Sequence, residues 1–536
     1  MVRSNKHQRP DPTAEDLINY LAGLPRQLGV WRAGRHGLYH LLLSSSLERM
    51  ADLGSAPLEP WEGADAAEGW RHATSTLIEW HSEWAQRGRT DEPSAQDVIA
   101  AVRRARQWRV LETVLLGLRT GDMNVVETGG WDIRIANKRD HSVEALDIIL
   151  EQVSIPAEST LVEVSLGSVY GWFADHAGRP AAAHTLPKWA SSVVYQWALA
   201  NLVNRGLTMP ADTKLGDLTL AEARKCYALL IARTELASMC TNILGSRETA
   251  VWYSEPHRLR ESLRDHVSEE SSEAFIRLCT FGPGRTPASA PLIPDASLIA
   301  IPAALVSPVG FERTLLRAAS ADPARGGSLG NALGRRAARW ADRLRAIPGT
   351  LVAERLAVRH NGGQKVGDLD VVAFDPGSNL MIIIETKWPV DAHTLRETLK
   401  IDRAIADGCK QLSRIRAAIE AGATVQWPAG WDVRENTHIL WWVGTAQQLA
   451  SSPEACAQDI LTTSLRLLEH ILPAAASLAD LRERIEQLPF PRLGSEYEII
   501  DQAVRVGKYR ITFPAIGMLD KPPTPSEDRR TKMGWT

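Results

Sequence analysis

Two apolar runs of this chain end in charged residues. The stretch GDLDVVAFDPGSNLMIIIETKWP places Asp368 and Asp370 at the entry to the first run, and Glu385 and Lys387 at the end of the second. Charges normally avoid the ends of buried strands, because an unpaired charge there costs several kcal/mol. Carboxylates and an ammonium group gathered at such a place therefore indicate a site whose chemistry needs them.

The residues between the two runs predict a β-hairpin. Residues 376–379 (PGSN) favour a turn, since proline presets φ and glycine tolerates positive φ. With these four residues as the loop, Asp370 lies opposite Glu385, and Asp368 lies opposite Lys387. Side chains alternate along a strand, so all four groups then converge on one side of the hairpin. A loop of odd length would break this register.

Two neighbouring carboxylates with one lysine favour a divalent cation. Mg²⁺ prefers oxygen ligands and is commonly held by one or two carboxylates, waters and substrate phosphate. We expect Asp370 and Glu385 to hold Mg²⁺, for which Mn²⁺ could substitute. Such an ion would polarise a phosphodiester and lower the pKa of a bound water. Lys387 would stabilise negative charge that develops on the phosphate.

The run G-D-x-D, followed about fifteen residues later by E-x-K, resembles the signature of the restriction-endonuclease-like PD-(D/E)XK phosphodiesterase superfamily, over roughly residues 328–445. The resemblance implies that Asp370 and Glu385 are metal ligands and that Lys387 is catalytic. It further implies a catalytic glutamine in the following helix, where Gln411 stands. An acid from the first core helix is also expected, and Asp342 or the strand residue Glu354 could serve. Glu354 and Asp368 are therefore auxiliary candidates.

The spacing of apolar residues after residue 326 predicts an α/β domain. A helix (328–346), three strands (351–358, 366–374, 380–387), a long helix (392–421) and a further strand (437–445) give the order αβββαβ and a mixed central sheet. Two helices (456–473 and 477–487) and a hairpin follow. This order is also that of the superfamily core.

The remainder of the chain divides by composition. We predict a disordered tail (1–13), a mainly α-helical N-terminal region (14–280), a connecting segment rich in proline, glycine, serine and alanine (281–325), the nuclease-like domain (326–515) and a second disordered tail (516–536). No sequence feature assigns a role to the N-terminal helices. Targeting, sensing and contact with a second copy or a partner protein all remain open.

Basic residues concentrate just before the acidic hairpin. Nine lysine or arginine residues lie between 325 and 365. A track of this kind suits a phosphate backbone, although an arginine-rich helix face is as often only solvated. The candidates for nucleic-acid contact are Arg335, Arg336, Arg339 and Lys400. Lys400 precedes Gln411 by three helical turns and so projects on the same side.

Composition excludes several other classes. The five cysteines are scattered and form no CxxC pair, which argues for a reducing compartment and against structural zinc. No apolar run reaches the roughly 20 residues of a membrane helix, and the N-terminus lacks the apolar segment of a signal peptide. We therefore expect a cytoplasmic protein without membrane contact.

Two functions from different classes follow. The first is a Mg²⁺-dependent endonuclease that hydrolyses phosphodiester bonds, with DNA the expected substrate and defence against phage or plasmids as a role drawn by analogy. The second is a non-catalytic nucleic-acid-binding or assembly protein built on the same core. A structural interpretation, in which the acids merely defend a strand edge, does not explain why E-x-K follows a register-matched acid.

Overall fold

The computed structural model of this chain describes residues 13–34, 36–54, 60–86, 91–129, 131–139, 141–153, 165–202, 211–306, 311–320, 336–388, 395–446, 448–449, 459–488 and 490–519. The chain divides into two units. Unit 1 comprises Met1–Ile18, Thr113–Pro156 and Asn331–Thr536, and unit 2 comprises Asn19–Glu112 and Ala157–Gly330. This division differs from the sequential one predicted above, because unit 1 draws on both ends of the chain.

Helices dominate the described residues before 321, as predicted. They are α1 (Ala14–Gly23), α2 (His36–Gly54), α3 (Pro60–Trp84), α4 (Ala95–Thr120), α5 (His141–Val153), α6 (Gly167–Asp175), α7 (Lys188–Ala200), α8 (Leu220–Asn242), α9 (Pro256–Arg264), α10 (Glu269–Cys279) and α11 (Phe311–Ser320), with short 3₁₀ turns at Pro25–Gln27, Gly29–Ala33, Pro180–Thr185, Arg247–Ala250 and Ala303–Leu305. The strands in this part are β1 (Met123–Gly129), β2 (Asp132–Asn137), β3 (Val251–Ser254), β4 (Ile293–Asp295) and β5 (Leu298–Pro302).

Much of the predicted connecting segment is folded. Within 281–325, β4 and β5 form an antiparallel pair, and β5 also pairs with β3. Ile293, Ile299 and Ile301 are buried there. The apolar residues of this proline-rich stretch are thus buried within unit 2, and residues 293–302 are part of its fold. Residues 1–12 and 520–536 of the predicted tails lie outside the described residues, and residues 516–518 belong to a strand.

The elements after residue 335 all belong to unit 1. They are α12 (Arg336–Arg345), β6 (Leu351–Arg359), β7 (Lys365–Asp375), β8 (Leu380–Thr386), α13 (Leu395–Glu420), β9 (Thr424–Val425), β10 (His438–Thr445), β11 (Leu461–Ser464), α14 (Leu465–Ile471), a 3₁₀ turn (Leu472–Ala474), α15 (Leu478–Glu486), β12 (Tyr497–Val506) and β13 (Tyr509–Met518). The predicted order of helix, three strands, helix and strand is present, with the two-residue β9 inserted before the last strand.

Six of these strands form the predicted mixed sheet, in the order β11-β10-β8-β7-β6-β9. The pairs β6–β7, β7–β8 and β6–β9 are antiparallel, and β10 runs parallel to β8 and β11. The predicted helix 456–473 is wrong in part, since residues 461–464 form β11. Thr462 and Thr463 are β-branched, which favours a strand. The side chain of Ser464 then caps α14 by accepting a hydrogen bond from Leu467 N–H.

Helix α13 packs on one face of this sheet. Its buried residues recur every three or four positions, as an amphipathic helix requires. They form one core with apolar residues of β7 and β8; its members include Ile401, Ile405, Cys409, Leu412, Ile415, Val372, Phe374, Met381 and Ile383. This packing fixes the long helix against the strands that carry the charged residues.

The final hairpin lies in a different sheet. Strands β12 and β13 are antiparallel, and β13 pairs in parallel with β2, giving the order β1-β2-β13-β12. The hairpin that was expected to close the nuclease-like domain therefore joins residues 123–137 of the predicted N-terminal region. No local pattern announces a pairing between segments so distant in sequence.

Candidate active site

The hairpin of β7 and β8 has the predicted register. Asp375 pairs with Leu380 across the four-residue loop, and the pairing continues to Val371 and Ile384. Asp375 also orders the loop, because its carboxylate accepts hydrogen bonds from Gly377 N–H (2.9 Å) and Ser378 Oγ (2.6 Å). One further step in this register leads to Asp370 and Glu385.

Glu385 lies at the centre of a polar cluster at the end of β8. Its side chain is buried, and both carboxylate oxygens have partners. Lys387 Nζ donates to Oε1 over 2.8 Å, and Gln411 Nε2 donates to Oε2 over 2.9 Å. Lys387 Nζ also donates to Gln411 Oε1 over 3.2 Å. Glu385, Lys387 and Gln411, three of the four candidate catalytic residues, thus form one closed hydrogen-bonded triangle.

Asp370 adjoins this triangle through the next residue of β8. Its Oδ2 accepts hydrogen bonds from Thr386 N–H and Thr386 Oγ1, each over 2.8 Å. The pairing of β7 with β8 ends one position earlier, so the carboxylate replaces a main-chain acceptor. The arrangement orients Asp370 and leaves Oδ1 without a hydrogen bond to any residue that the structure describes. Lys387 N–H donates to Gly444 O on β10 (2.8 Å), which fixes the other side of the strand end.

The environment of Glu385 favours its neutral form. Burial raises the pKa of Glu385, the charge of Asp370 raises it further, and Lys387 and Arg414 lower it, with a net pKa of about 7. A carboxyl group with a pKa near 7 is suited either to exchange a proton or to release its proton to the solvent when a cation binds. Two carboxylates that repel each other in this way are stabilised when a cation binds both.

Two glycines are tightly packed beside the cluster, and neither was among the residues predicted from the sequence. A Cβ atom on Gly408 of α13 would lie 3.0 Å from Val443 Cγ1 and 3.2 Å from Lys387 Cε. A Cβ atom on Gly444 would lie 2.7 Å from Trp340 of α12. Gly408 therefore lets the stem of Lys387 pass beneath the helix. A lone glycine inside a helical pattern was the available signal.

Arg355 on β6 is a further residue that the sequence did not reveal. Its φ is +56°, in the left-handed region that bulky residues rarely occupy. The pairing of β6 with β7 skips this residue, between the pairs Glu354–Val371 and Leu356–Leu369. The skipped position is the one that faces Asp370. Both neighbours of β7 thus lose regular pairing at Asp370, and backbone strain of this kind is common beside functional groups.

The donor set at this site fits a hard divalent cation. Asp370 and Glu385 supply carboxylate oxygens. Asp370 Oδ1, which accepts no hydrogen bond from the described residues, can coordinate an ion that completes its shell with water and substrate phosphate. In the part of the chain that the structure describes, no group of three or more His, Cys, Asp or Glu side chains could hold a metal by itself. The residues fit an open site of the Mg²⁺ type, which needs only one or two carboxylates.

The auxiliary acids have other partners. Glu354 Oε1 accepts from Arg345 Nη2 (2.7 Å), and Asp342 accepts from Arg345 Nη1 (2.6 Å). Asp368 accepts from Lys365 Nζ (2.7 Å), whereas the expected neighbour Lys387 contacts Glu385 and Gln411. The structure therefore does not bring Asp368, Glu354 or Asp342 into hydrogen-bonded contact with the triangle.

The predicted nucleic-acid candidates are divided. Arg335 lies outside the described residues, and Arg336 begins α12. Arg339 is ion-paired with Glu469 (2.9 Å), a residue of α14 that Arg343 also contacts (3.0 Å). Lys400 is exposed on α13. The basic stretch before the acidic hairpin is thus partly neutralised within the fold.

Comparison with known proteins gives no further assignment: no family model, no curated protein and no solved structure matches this chain. None of the helices in the described ranges combines the length and apolar character needed to cross a bilayer.

Proposed function

We propose that this protein is a metal-dependent endonuclease of the PD-(D/E)XK type, which hydrolyses phosphodiester bonds in DNA in the cytoplasm. The observation that supports this best is the joining of Glu385, Lys387 and Gln411 in one part-buried triangle beside Asp370. The helix, three-strand, helix and strand order around it is the order of that superfamily's core. Action against phage or plasmid DNA is the role we propose by analogy.

Asp370 and Glu385 would hold Mg²⁺, or Mn²⁺ in its place. The bound ion would supply Lewis acidity toward a phosphate oxygen and a water of lowered pKa. Glu385 would give up its proton when the ion binds, because the ion offsets the effects of burial and of Asp370. Thr386 holds Asp370 in the orientation that this requires.

Lys387 and Gln411 would act on the reacting phosphate. In the structure Lys387 Nζ is shared between Glu385 and Gln411. Its charge lies in a part-buried position, where an ammonium stabilises developing negative charge more strongly than in water. Gln411 fixes the direction of the ammonium with its carbonyl oxygen and holds Glu385 with its amide group.

The test is cleavage of plasmid, linear duplex, single-stranded DNA and RNA with Mg²⁺ or Mn²⁺. We expect metal-dependent cleavage that falls by at least about 100-fold in Lys387→Ala, as for loss of one charge-stabilising group. Lys410→Ala is the matched control, because Lys410 precedes Gln411 on α13 and pairs with Asp407 at the surface. Its activity should equal that of the wild type.

A second readout does not depend on activity. Mn²⁺ should raise the melting temperature of the wild-type protein, and Asp370→Asn should remove that shift while leaving the metal-free melting temperature nearly unchanged. Cleavage that persists in a chelator, or that survives in Lys387→Ala, would refute the nuclease. A folded protein that binds nucleic acid but cleaves none of the substrates would favour the non-catalytic alternative.

A further inference from the structure

The tip of the β12–β13 hairpin gathers positive charge. Strands β12 and β13 are joined by Gly507 and Lys508, and Arg505 pairs directly with Arg510 next to this turn. Residues that pair in this way place their side chains on the same face, with Cβ atoms about 5 Å apart. Like charges directly opposite each other destabilise a hairpin. We call residues 505–510 together with Trp131 the hairpin tip.

The cations of the hairpin tip lack ion-pair partners among the described residues. Arg505, Lys508 and Arg510 are exposed, and each is beyond salt-bridge distance of every described carboxylate. Two acids lie near these cations and form no ion pair with them. Asp132 pairs with Arg510 in the sheet register, and Asp16 feels the charge of Lys508. The cations therefore remain available to an external anion.

Trp131 contacts one of these cations, Lys508. Its side chain is 41% exposed, although tryptophan is among the residues that gain most from burial. Lys508 Nζ lies 4.1 Å from its ring centroid, and the ring of Tyr509 meets it edge-on at 5.5 Å. These two contacts hold the indole in place and leave much of it exposed. A fixed, exposed aromatic ring in contact with one cation and on the same hairpin as two more is a combination that binds unpaired bases and their phosphates.

We propose that the hairpin tip binds a single-stranded segment of nucleic acid, with phosphates on Arg505 and Arg510 and an unpaired base stacked on Trp131. This deepens the proposed function, on which it rests, by naming the strand form that the protein holds. A single strand is favoured over duplex because the π-face of a base is available to an indole only when the base is unstacked. The repulsion between the two arginines is relieved when a phosphate lies between them.

A protein partner is the alternative occupant. The same edge strand, β12, exposes Ile499 and Ile500, and an edge strand offers unpaired main-chain groups to another chain. Nothing in the charge pattern favours it, since strand pairing with a second copy does not need Trp131 or cations held opposite each other. The experiment below makes this alternative a distinct outcome.

The test is binding of a fluorescein-labelled oligothymidylate and of a duplex of equal length, in EDTA and at several salt concentrations. EDTA prevents metal-dependent cleavage, so binding is measured alone. We expect Trp131→Leu to weaken single-strand binding about 10-fold and duplex binding much less. We expect Arg505→Ala with Arg510→Ala to reduce the slope of log affinity against log salt by about 1.4, the value for two lost phosphate contacts on a single strand.

Two matched controls accompany these variants. Trp189 on α7 is 44% exposed, so Trp189→Leu removes an equally exposed indole elsewhere. Arg434 is 65% exposed but paired with Asp432, so Arg434→Ala removes an arginine whose charge is already neutralised. Both should bind like the wild-type protein. Removal of the opposed arginines relieves a repulsion, and a melting curve for each variant confirms its fold.

Three results would overturn the inference. The salt slope of Arg505→Ala with Arg510→Ala could equal that of the wild type, or Trp131→Leu could bind single strands as tightly as the wild type. The third is that the variants change the sedimentation of the protein and leave its affinity for single strands unchanged. The last would assign the hairpin tip to protein association. The nuclease proposal fails differently, through absence of metal-dependent cleavage while the hairpin tip still binds single strands. Conversely, if Trp131→Leu and the double arginine variant both cleave DNA and bind single strands as the wild type does, only the proposal for the hairpin tip is refuted.

Discussion

The two sheets of unit 1 place charged side chains in opposite environments, one buried and one exposed. At the end of β8 in the six-stranded sheet, Glu385 is buried and each of its oxygens accepts a hydrogen bond. At the tip of the four-stranded sheet, the exposed Arg505 and Arg510 lie opposite each other, and neither has an ion-pair partner among the residues that the structure describes. Burial makes an unpartnered charge too costly, whereas exposure tolerates it. The first arrangement suits chemistry on a bound phosphate, and the second suits capture of a polyanion.

Helix α12 is instructive as an intermediate case. Its arginines produce the highest density of basic residues near the acidic hairpin, yet Arg339 and Arg343 both contact Glu469. Arg345 contacts Asp342 and Glu354. Density of charge in the sequence and availability of charge on the surface are therefore different quantities.

The largest expected effect distinguishes the catalytic step from substrate binding. Lys387→Ala should lower kcat by at least about 100-fold with little change in KM, because the ammonium is needed when charge develops. Arg505→Ala with Arg510→Ala should raise KM and leave kcat nearly unchanged. Steady-state cleavage of single-stranded DNA measures both. A loss of kcat in the arginine variant as large as in Lys387→Ala would erase the distinction between the two sheets.

Next in size is a pH effect confined to the buried site. The pKa of Glu385 is raised in the folded protein from 4.5 to about 7. The folded state therefore holds this proton more tightly, and its stabilising contribution is complete below pH 4.5 and lost as pH rises through about 7. In metal-free solution, wild type should lose on the order of 3 kcal/mol relative to Glu385→Gln across this window.

Urea unfolding of both proteins at several pH values measures this difference. Mg²⁺ should reduce it by lowering the pKa of Glu385. Parallel curves for the two proteins in EDTA would show that Glu385 is not perturbed.

A smaller effect tests how the helix positions the lysine. Gly408→Ala places a Cβ atom 3.2 Å from Lys387 Cε and 3.0 Å from Val443 Cγ1, so the lysine stem must shift by a few tenths of an ångström. We expect cleavage to fall about 10-fold, since small displacements of catalytic groups are costly. Gly171→Ala is the control, because that helical glycine has open space around its Cβ position. Unchanged activity in Gly408→Ala would show that the lysine is not held there.

We expect backbone strain at Arg355 in the six-stranded sheet to cost about 1 kcal/mol of folding stability, with no such cost at the turn of the four-stranded sheet. At the hairpin tip, the positive φ of 55° belongs to Gly507, which adopts it freely, whereas in the site sheet Arg355 adopts 56°. Arg355→Gly should therefore raise the free energy of unfolding by about 1 kcal/mol. Arg355→Ala keeps the Cβ atom and should give no such gain. Equal stability of the two variants in urea would argue that Arg355 is unstrained.

The smallest expected effect concerns helix α12. Arg339→Ala with Arg343→Ala removes two arginines that already contact Glu469, so the salt dependence of single-strand binding should stay within error of wild type. The loss of these partly exposed ion pairs should cost at most about 1 kcal/mol of stability. A slope reduced as much as in the hairpin-tip variant would restore α12 as the track for the phosphate backbone.

Local rules account for what the sequence determined by itself. A four-residue loop and the period-two alternation of strands fixed the register from Asp375–Leu380 onward, which brings Asp370 toward Glu385. Helical spacing likewise predicted α13, whose buried face is continuous with the strands. These features depend on residues close together in the chain, so the sequence expresses them directly.

Only the tertiary structure decided which groups meet across distant segments. The pairing of β13 with β2, the contact of Gly408 with Lys387 and the ion pairs of Arg339 with Glu469 join segments with no shared local pattern. Whether a cation is neutralised depends on which carboxylate packing brings within about 4 Å, and composition cannot specify that distance. For this reason the sequence located the carboxylates and the lysine of the candidate site, while the cations of the hairpin tip, which have no ion-pair partner in the described part of the chain, emerged only from the fold.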